Sequence, residues 1–514
     1  MNMPAQGGSG PIPDMSITEY VFAGLPAEPS EVVLIDGPSG REMTAGAFRT
    51  AVERLAGVLT AAGHGAGQVT CLMAPNSPDY AVVFHAVAWA GGTISTANPT
   101  YTAPELNHQL KDSGASLLIT IPAFLDTARA AAEGTGVRRI AVIGGEGEEG
   151  LSRLDGPPLS RQVPVDLDRH VVVLPYSSGT TGLPKGVMLS HRNLVVNVIQ
   201  ADGLMQLRPR ERTLAFLPYF HIYGMQVLMN LYLARGGVQI TLPRFDLESA
   251  LRIMQEHRTF RLFVAPPVVL ALAKHPMVDQ FDLSALKVIL SAAAPLGAEL
   301  AQACAERLGV EVIQGYGMTE LSPITHANPV GRGKPGSVGI AAPMTEVRAV
   351  DPETGRVLGP GETGEIVVRG PQVMIGYLNR PDATAAMIDA DGWLHTGDLG
   401  YIDADGYLYV VDRVKELIKV KGFQVAPAEL EALIVAHPAV ADVAVVGEPD
   451  DEAGERPVAH VVRAPGTAVT EAEVMEFLAG KVASYKRLAR VEFRDAIPKS
   501  ASGKILRRML RRTA

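Results

Sequence analysis

An α/β fold with a separate α+β C-terminal unit is predicted by three features of this sequence. Segments with helical spacing of apolar residues alternate with short, continuous apolar runs through most of the chain, as in helices packed against buried strands. The chain has 514 residues, more than one hydrophobic core ordinarily organises. After about residue 330 the helical pattern gives way to strand-rich sequence, and a compact α+β pattern closes the chain.

In order along the chain, residues 1–15 are rich in glycine and proline and are expected to form a flexible tail without a secretory signal. Residues 45–62 carry Phe48, Val52, Leu55, Ala56 and Leu59 near helical spacing, which predicts an amphipathic helix. A strand is expected at 68–73, and buried-type strands at 117–121 and 139–143, with a helix at 125–132 between them. The run Val171-Val172-Val173-Leu174 predicts another strand, as do residues 262–265 and 288–290. Residues 365–369 and 407–411 read as strands, the second entered through an Asp405-Gly406 turn, and mark a small β-rich subdomain at about 331–411. Pro427 opens a helix carrying Leu430, Leu433 and Ile434, and 440–446 reads as a strand. The predicted division is therefore an N-terminal domain at 16–411 and a C-terminal domain at 412–514.

Composition narrows the function classes. Apolar residues make up 47% and charged residues 20%, and no apolar run approaches the ~20 residues that span a bilayer, so membrane insertion is not expected. Cys71 and Cys304 lack metal-site spacing and fit two core residues of a reducing cytoplasm. The net charge of −9 is uneven: from 481 to 514 eleven Lys/Arg face two carboxylates, a local +9 against −18 elsewhere. Some of this is a helix face, with Arg507, Arg508, Arg511 and Arg512 flanking Ile505, Leu506, Met509 and Leu510. Aromatic residues for base stacking are nearly absent there, so no nucleic-acid partner is expected, and attraction of a small polyanion is the functional reading.

The polyanion site itself is legible at Tyr176-Ser177-Ser178-Gly179-Thr180-Thr181-Gly182-Leu183-Pro184-Lys185-Gly186. Three glycines, four hydroxyls and one lysine directly behind an apolar strand can turn N–H groups, hydroxyls and a cation toward one point, a polyphosphate cradle. The common G-x-x-x-x-G-K-[ST] loop is absent, because Lys185 follows Gly182 by three residues and precedes Gly186.

Four more clusters follow in order: Phe220-His221-Ile222-Tyr223-Gly224, Gln314-Gly315-Tyr316-Gly317-Met318-Thr319-Glu320, the stretch 392–398 ending in Thr396-Gly397-Asp398, and 498–504 ending in Ser502-Gly503-Lys504. Together with the phosphate loop they resemble the adenylate-forming superfamily of acyl-CoA synthetases, peptide-synthetase adenylation domains and luciferases. The resemblance runs from about residue 16 to 512 and is strongest to the 4-coumarate:CoA ligase branch, which also shares the stretch 411–427.

That resemblance implies the adenylate-forming enzyme fold and a two-step reaction with ATP, Mg²⁺ and coenzyme A. A carboxylate attacks the α-phosphorus of ATP to give acyl-AMP and pyrophosphate, and the coenzyme A thiol then displaces AMP. Charge accumulates on phosphoryl oxygens, so positioning and cations must carry the catalysis. The resemblance assigns the β- and γ-phosphates to Ser177, Ser178, Gly179, Thr180, Thr181 and Lys185. It assigns acyl chain and adenine to Gln314 and Gly315, the face of the base to Tyr316, the α-phosphate to Thr319, and Mg²⁺ to Glu320. Asp398 takes the ribose hydroxyls with Arg413 beside it, and Lys504 bridges carboxylate and α-phosphate. His221 is implied to position and gate the acyl tunnel rather than transfer protons.

The implied acyl pocket comprises His221, Tyr223, Leu290, Ala293, Gly315, Gly317, Pro323 and Ile324, a flat slot for an aromatic ring. Thr325 and Leu290 replace a leucine and a methionine typical of the plant enzymes. For the thioester step a hinge between Asp412 and Lys415 is implied to turn the C-terminal domain. Lys415 and Lys419 then serve the adenylate, and Lys421, Gly422 and Gln424 meet coenzyme A. Arg244 stands where the plant enzymes use a lysine near a coenzyme A phosphate. The loop at Lys504 is similar to ones reversibly acetylated in bacterial relatives, which implies a lysine acetyltransferase and deacetylase as partners.

The expected substrate is 4-coumarate, cinnamate or a related aryl-propenoic acid, with a cytoplasmic setting. A medium- or long-chain fatty acyl-CoA or acyl-AMP ligase is the alternative. An amino-acid substrate is disfavoured because Phe220-His221-Ile222-Tyr223 offers no aspartate for an amino group. Luciferase is disfavoured by the lack of a C-terminal Ser-Lys-Leu. An inactive nucleotide-binding scaffold is disfavoured by the presence of Lys185, Glu320, Asp398, Arg413 and Lys504 together.

Overall fold

Two large sheets and one small one carry the chain. The structure, a computed structural model, describes residues 11–145, 150–151, 156–177, 184–413, 415–421, 423–450, 453–500 and 503–511. The first sheet has thirteen strands. At its centre lie parallel strands Arg212–Ala215, Val238–Thr241, Arg261–Val264, Val288–Ser291 and Glu311–Gly317. Arg261–Val264 and Val288–Ser291 are buried along their whole length, which explains why 262–264 and 288–290 read as continuous apolar runs rather than alternating ones.

The second sheet has seven strands. Val69–Leu72, Thr93–Thr96, Leu117–Thr120, Arg139–Val142 and Val171–Ser177 are parallel, and Lys185–Ser190 returns antiparallel. One hydrophobic core joins both sheets through the helices Ala45–Ala61, Pro78–Trp89 and His191–Met205. The last of these begins in a capping box, in which the Ser190 side chain accepts from Asn193 and Asn193 returns the bond.

The strands expected as a β-rich subdomain continue the first sheet: Ile324–Ala327 pairs with Gly339–Ala341, which pairs with Tyr407–Arg413. The two-residue strand Gly376–Tyr377 leaves that region and pairs with Val187 and Met188 in the second sheet. The C-terminal part has its own five-stranded sheet and its own core around Leu430, Val445 and Val461.

Two expectations change at the chain ends. Within the expected tail, Pro13 and Asp14 are held by Arg192, whose Nη1 donates to the Pro13 carbonyl at 2.8 Å and whose Nη2 lies 3.0 Å from Asp14 Oδ1. The arginine-flanked stretch after Ile505 is a short 3-10 turn, Arg507–Met509, rather than an extended helix face. Arg507 points inward, where two carboxylates from elsewhere in the C-terminal part outcompete solvent for it. Among the described residues no helix is long and apolar enough to cross a membrane.

Candidate active site

The carboxyl ends of the central parallel strands assemble the site, the place where open α/β sheets leave a crevice. Leu290 and Ser291 end one strand, and Ser291 sits beside Gln314 on the next. Gly315 follows, where a Cβ would lie 3.5 Å from Leu290 Cδ2, so these two residues meet across the slot. Gly317 has no room for a side chain, since a Cβ would stand 2.1 Å from the Pro323 carbonyl oxygen. Ala293, just beyond Ser291, holds a left-handed φ of 73°, which costs a non-glycine residue about 1 kcal/mol and marks a turn shaped for its surroundings.

Tyr223 closes one side of this slot. It is buried, and its hydroxyl donates to the Leu290 carbonyl at 3.3 Å. Gly224 behind it is required by close approach, because a Cβ would come within 2.4 Å of the Leu217 carbonyl. His221 precedes it, with Nδ1 accepting from Tyr223 N–H at 3.3 Å. Burial, and then the nearby Lys504 charge, bring His221 down to about 4, so its ring is neutral at ordinary pH.

Asp398 and Arg413 face each other across an antiparallel strand pair. Arg413 Nε lies 3.0 Å from Asp398 Oδ1, while the Tyr316 hydroxyl donates to Oδ2 at 2.6 Å. Asp398 is buried, and this hydrogen-bonded ion pair explains how its charge is tolerated. Burial, followed by the Asp398 charge, keeps the Tyr316 hydroxyl well above the usual tyrosine range and therefore a donor.

The strands on either side of the phosphate loop are antiparallel, with Ser177 opposite Lys185 and Tyr176 opposite Gly186. The loop residues Ser178, Gly179, Thr180 and Thr181 lie outside the described residues. Tyr176 anchors the loop's entry by donating to Asp112 Oδ2 at 2.8 Å. The Lys185 ammonium sits over the ring of Tyr377 at 4.9 Å from its centroid, and the Tyr377 hydroxyl donates to Glu320 Oε1 at 2.7 Å. Tyr377 has no counterpart in the sequence motifs. A glycine-tyrosine pair in strand-rich sequence carries no local signal, and only the pairing of this short strand with Lys185–Ser190 reveals it.

Lys504 comes from the far end of the chain into the same group. Burial first, then Arg413, hold it down at about 8 rather than 10.5, while Asp398, Glu416 and Glu320 oppose that shift. A turn shapes its loop: Ser500 N–H donates to the Lys504 carbonyl at 2.8 Å, and Lys504 N–H donates to Ser500 Oγ at 3.1 Å. Gly503, with φ of 85°, rests on the large domain, where a Cβ would lie 2.8 Å from Ala265 Cβ. Gly503→Ala is expected to lower the rate of the adenylation that the resemblance implies about tenfold, through roughly 1–2 kcal/mol of strain and displacement. A pyrophosphate-release assay on that variant checks this, and a wild-type rate would show that the contact does not seat Lys504.

Other expected residues lie elsewhere. Lys415, Lys419, Lys421 and Gln424 are exposed on the C-terminal surface rather than placed among the site residues, and Gly422 is outside the described residues. Lys419 and Gln424 face each other across the hairpin Ile418–Val420 and Phe423–Val425. The C-terminal part places Lys504, rather than these residues, near Arg413, Asp398 and Glu320. Arg244 is exposed in the loop before the helix Leu247–Glu256. Thr319 and Glu320 share a 3-10 turn, with Glu320 buried.

The chain is similar to known proteins over nearly its whole length. The AMP-binding enzyme family matches residues 25–378, and the AMP-binding enzyme C-terminal domain matches 429–504. The 4-coumarate--CoA ligase 5 of Oryza sativa subsp. japonica is 42% identical over 521 residues, covering 97% of this chain and 95% of that protein. The 4-coumarate--CoA ligase of Pinus taeda is 41% identical over 521 residues, covering 97% and 96%. Among solved structures, ATP-bound MatB from Rhodopseudomonas palustris has a TM-score of 0.89 at 31% identity, covering 96% of this chain and 98% of that one. The apo form of the same protein, with the same coverage and identity, has a TM-score of 0.79. The chain belongs to the AMP-binding enzyme family and is an adenylate-forming, 4-coumarate--CoA ligase-like acid–CoA ligase.

Proposed function

We propose that this ligase activates an aryl-propenoic acid such as 4-coumarate or cinnamate, first as acyl-AMP and then as the coenzyme A thioester. The observation that carries the substrate is the slot between Tyr223, Leu290 and Gly315. The Tyr223 phenol is engaged with the Leu290 carbonyl, and Gly315 and Gly317 keep side chains out of the wall beside it, which supports a flat, apolar ring as the occupant. The names of the relatives from rice and pine point the same way.

In the first step the acid's carboxylate approaches the α-phosphorus while Lys504 stands between the two anions. Thr319 meets the α-phosphate, and Lys185 with the phosphate loop retains the leaving pyrophosphate. Asp398 receives the ribose hydroxyls, and Tyr316 offers its ring to the adenine. His221, a neutral ring between slot and lysine, shapes the path of the carboxylate.

The donor set fits Mg²⁺ held jointly by protein and nucleotide. Glu320 contributes a hard oxygen, and no group of three or more acidic, His or Cys residues among the described residues could hold a metal alone. Glu320 would hold Mg²⁺, which would supply neutralisation of the phosphate charge.

For the second step the domain beyond a hinge between Asp412 and Lys415 turns. Lys504 leaves, Lys415 and Lys419 approach the adenylate, and Lys421, Gly422 and Gln424, with Arg244, meet coenzyme A. The greater similarity to the ATP-bound than to the apo form of MatB supports reading this pose as the adenylating one. An acetyltransferase and deacetylase acting on Lys504 would switch the first step alone. The setting proposed is cytoplasmic, in keeping with the two free, buried cysteines.

The test is pyrophosphate release with a panel of aryl-propenoic and aliphatic acids, with and without coenzyme A. Cinnamate-type acids are expected to give kcat/KM at least about tenfold above fatty acids, since lost slot contacts are worth roughly 1–3 kcal/mol. A preference for aliphatic acids would replace the substrate reading. Acid-dependent release without thioester formation would leave an acyl-AMP ligase.

A further inference from the structure

We propose that Tyr377 is a positioning residue for adenylation: its hydroxyl orients the Glu320 carboxylate and its ring face seats the Lys185 ammonium. The inference rests on the roles given above to Glu320 and Lys185, and it adds the element that holds these two groups in register.

The segment 374–378 is tied to both sides of the site through its backbone. Met374 N–H donates to the Glu320 carbonyl at 2.9 Å. Ile375 N–H donates to the Met188 carbonyl at 3.0 Å, and Leu378 N–H donates to the Gly186 carbonyl at 2.8 Å, fixing it to the strand that begins at Lys185. Tyr377 N–H donates to Thr384 Oγ1 at 2.9 Å, which sets the direction in which its side chain leaves. Gly376 permits this crossing, because a Cβ there would lie 2.8 Å from Thr384 Cγ2.

From that anchored backbone the Tyr377 side chain makes two contacts of different kinds. The hydroxyl donates to Glu320 Oε1, a hydrogen bond to a buried carboxylate at 2.7 Å. Glu320 Oε2 accepts no side-chain hydrogen bond from a described residue and remains the oxygen a hard cation would take. The ring lies under Lys185, whose ammonium the π face attracts without neutralising it. A carboxylate or amide there would pair with the lysine and compete with phosphate. An aromatic face steers the cation and leaves its charge for the nucleotide.

The experiment separates the two contacts. ATP binding is measured calorimetrically over a range of Mg²⁺ concentrations for wild type, Tyr377→Phe, Tyr377→Leu, Glu320→Gln and the double variant Tyr377→Phe/Glu320→Gln. Tyr377→Phe is expected to raise the Mg²⁺ concentration that half-saturates ATP binding about tenfold, the size of one lost hydrogen bond to a charged group. Tyr377→Leu is expected to weaken ATP binding a further threefold or so in the absence of Mg²⁺, through the lost cation–π contact. The double variant is expected to resemble Glu320→Gln alone, because the hydroxyl acts through that carboxylate.

Thermal unfolding and conversion of supplied acyl-adenylate, measured on each variant, distinguish lost positioning from a failed fold. Wild-type Mg²⁺ dependence in Tyr377→Phe, or additive effects in the double variant, overturn the role of Tyr377. If Glu320→Gln alone leaves Mg²⁺ dependence unchanged, the assignment of Glu320 falls instead.

Discussion

Replacing Lys504 by alanine is expected to slow acid-dependent pyrophosphate release about 10²–10³-fold, the usual cost of removing one donor aimed at developing oxyanion charge. Conversion of supplied acyl-adenylate to thioester is expected to survive, because the thioester-forming pose proposed above does not use this lysine. Equal loss of both half-reactions would end the alternation reading. Lys504→Gln, which imitates acetylation, is expected to behave like the alanine variant.

The depressed Lys504 value gives the prediction a pH signature. The ammonium is present below about 8, so kcat/KM for adenylation is expected to be level there. Above that pH it is expected to fall about tenfold per unit, since the neutral amine cannot bridge two anions. A variant without the lysine lacks this limb. The sign for stability is opposite: between about 8 and 10.5 the unfolded chain keeps the proton that the folded chain has lost. This group therefore makes the folded state more stable as pH rises through that window.

The second large effect is expected at Arg507. Its Nη1 lies 2.5 Å from Glu416 Oε2, and its Nη2 donates to Glu431 at 2.7 and 2.8 Å. Glu431 also accepts Val445 N–H at 2.7 Å, and Arg507 Nε donates to the Val445 carbonyl at 3.2 Å. One arginine thus ties the segment just past the proposed hinge to the sheet of the C-terminal domain, three residues beyond Lys504.

Arg507→Met would leave two largely buried carboxylates facing one another, a loss of about 3–5 kcal/mol in that domain. Hydrogen exchange along Val440–Asp450 reads this locally, with protection expected to fall in the C-terminal sheet and to persist in Val288–Ser291. Adding Glu431→Gln should return part of the lost stability, because it removes the uncompensated charge. If Arg507→Met alone leaves C-terminal protection intact, the triad is not what holds the domain.

The elements whose signal is local were legible in the sequence. The helix Leu125–Ala132 and the strand at Val288 follow from apolar spacing and run length within a few residues. The ordered motifs named the family, and the same motifs placed Asp398, Arg413, Tyr316 and Lys504, which the fold brings together. Chemistry that depends on a few particular residue types in a short stretch is legible in one dimension.

What the sequence alone could not show are contacts between segments far apart in the chain. The arginines after Ile505 looked like a solvated or ligand-attracting face, yet Arg507 is committed to Glu416 and Glu431, 91 and 76 residues away. Tyr377 carries no motif, because its partners lie in two other segments, 57 residues back at Glu320 and farther still at Lys185. Which pose the C-terminal part takes was equally hidden, since the motifs give roles to Lys504 and to Lys419 and Lys421 without saying which of them faces the cleft. The ordered motifs, through the family they resemble, pointed to a protein that handles a nucleotide and an acid. Only the tertiary structure, in which Gly503 packs on Ala265 at a spacing that admits no side chain, decided which lysine lies near Asp398 and Arg413.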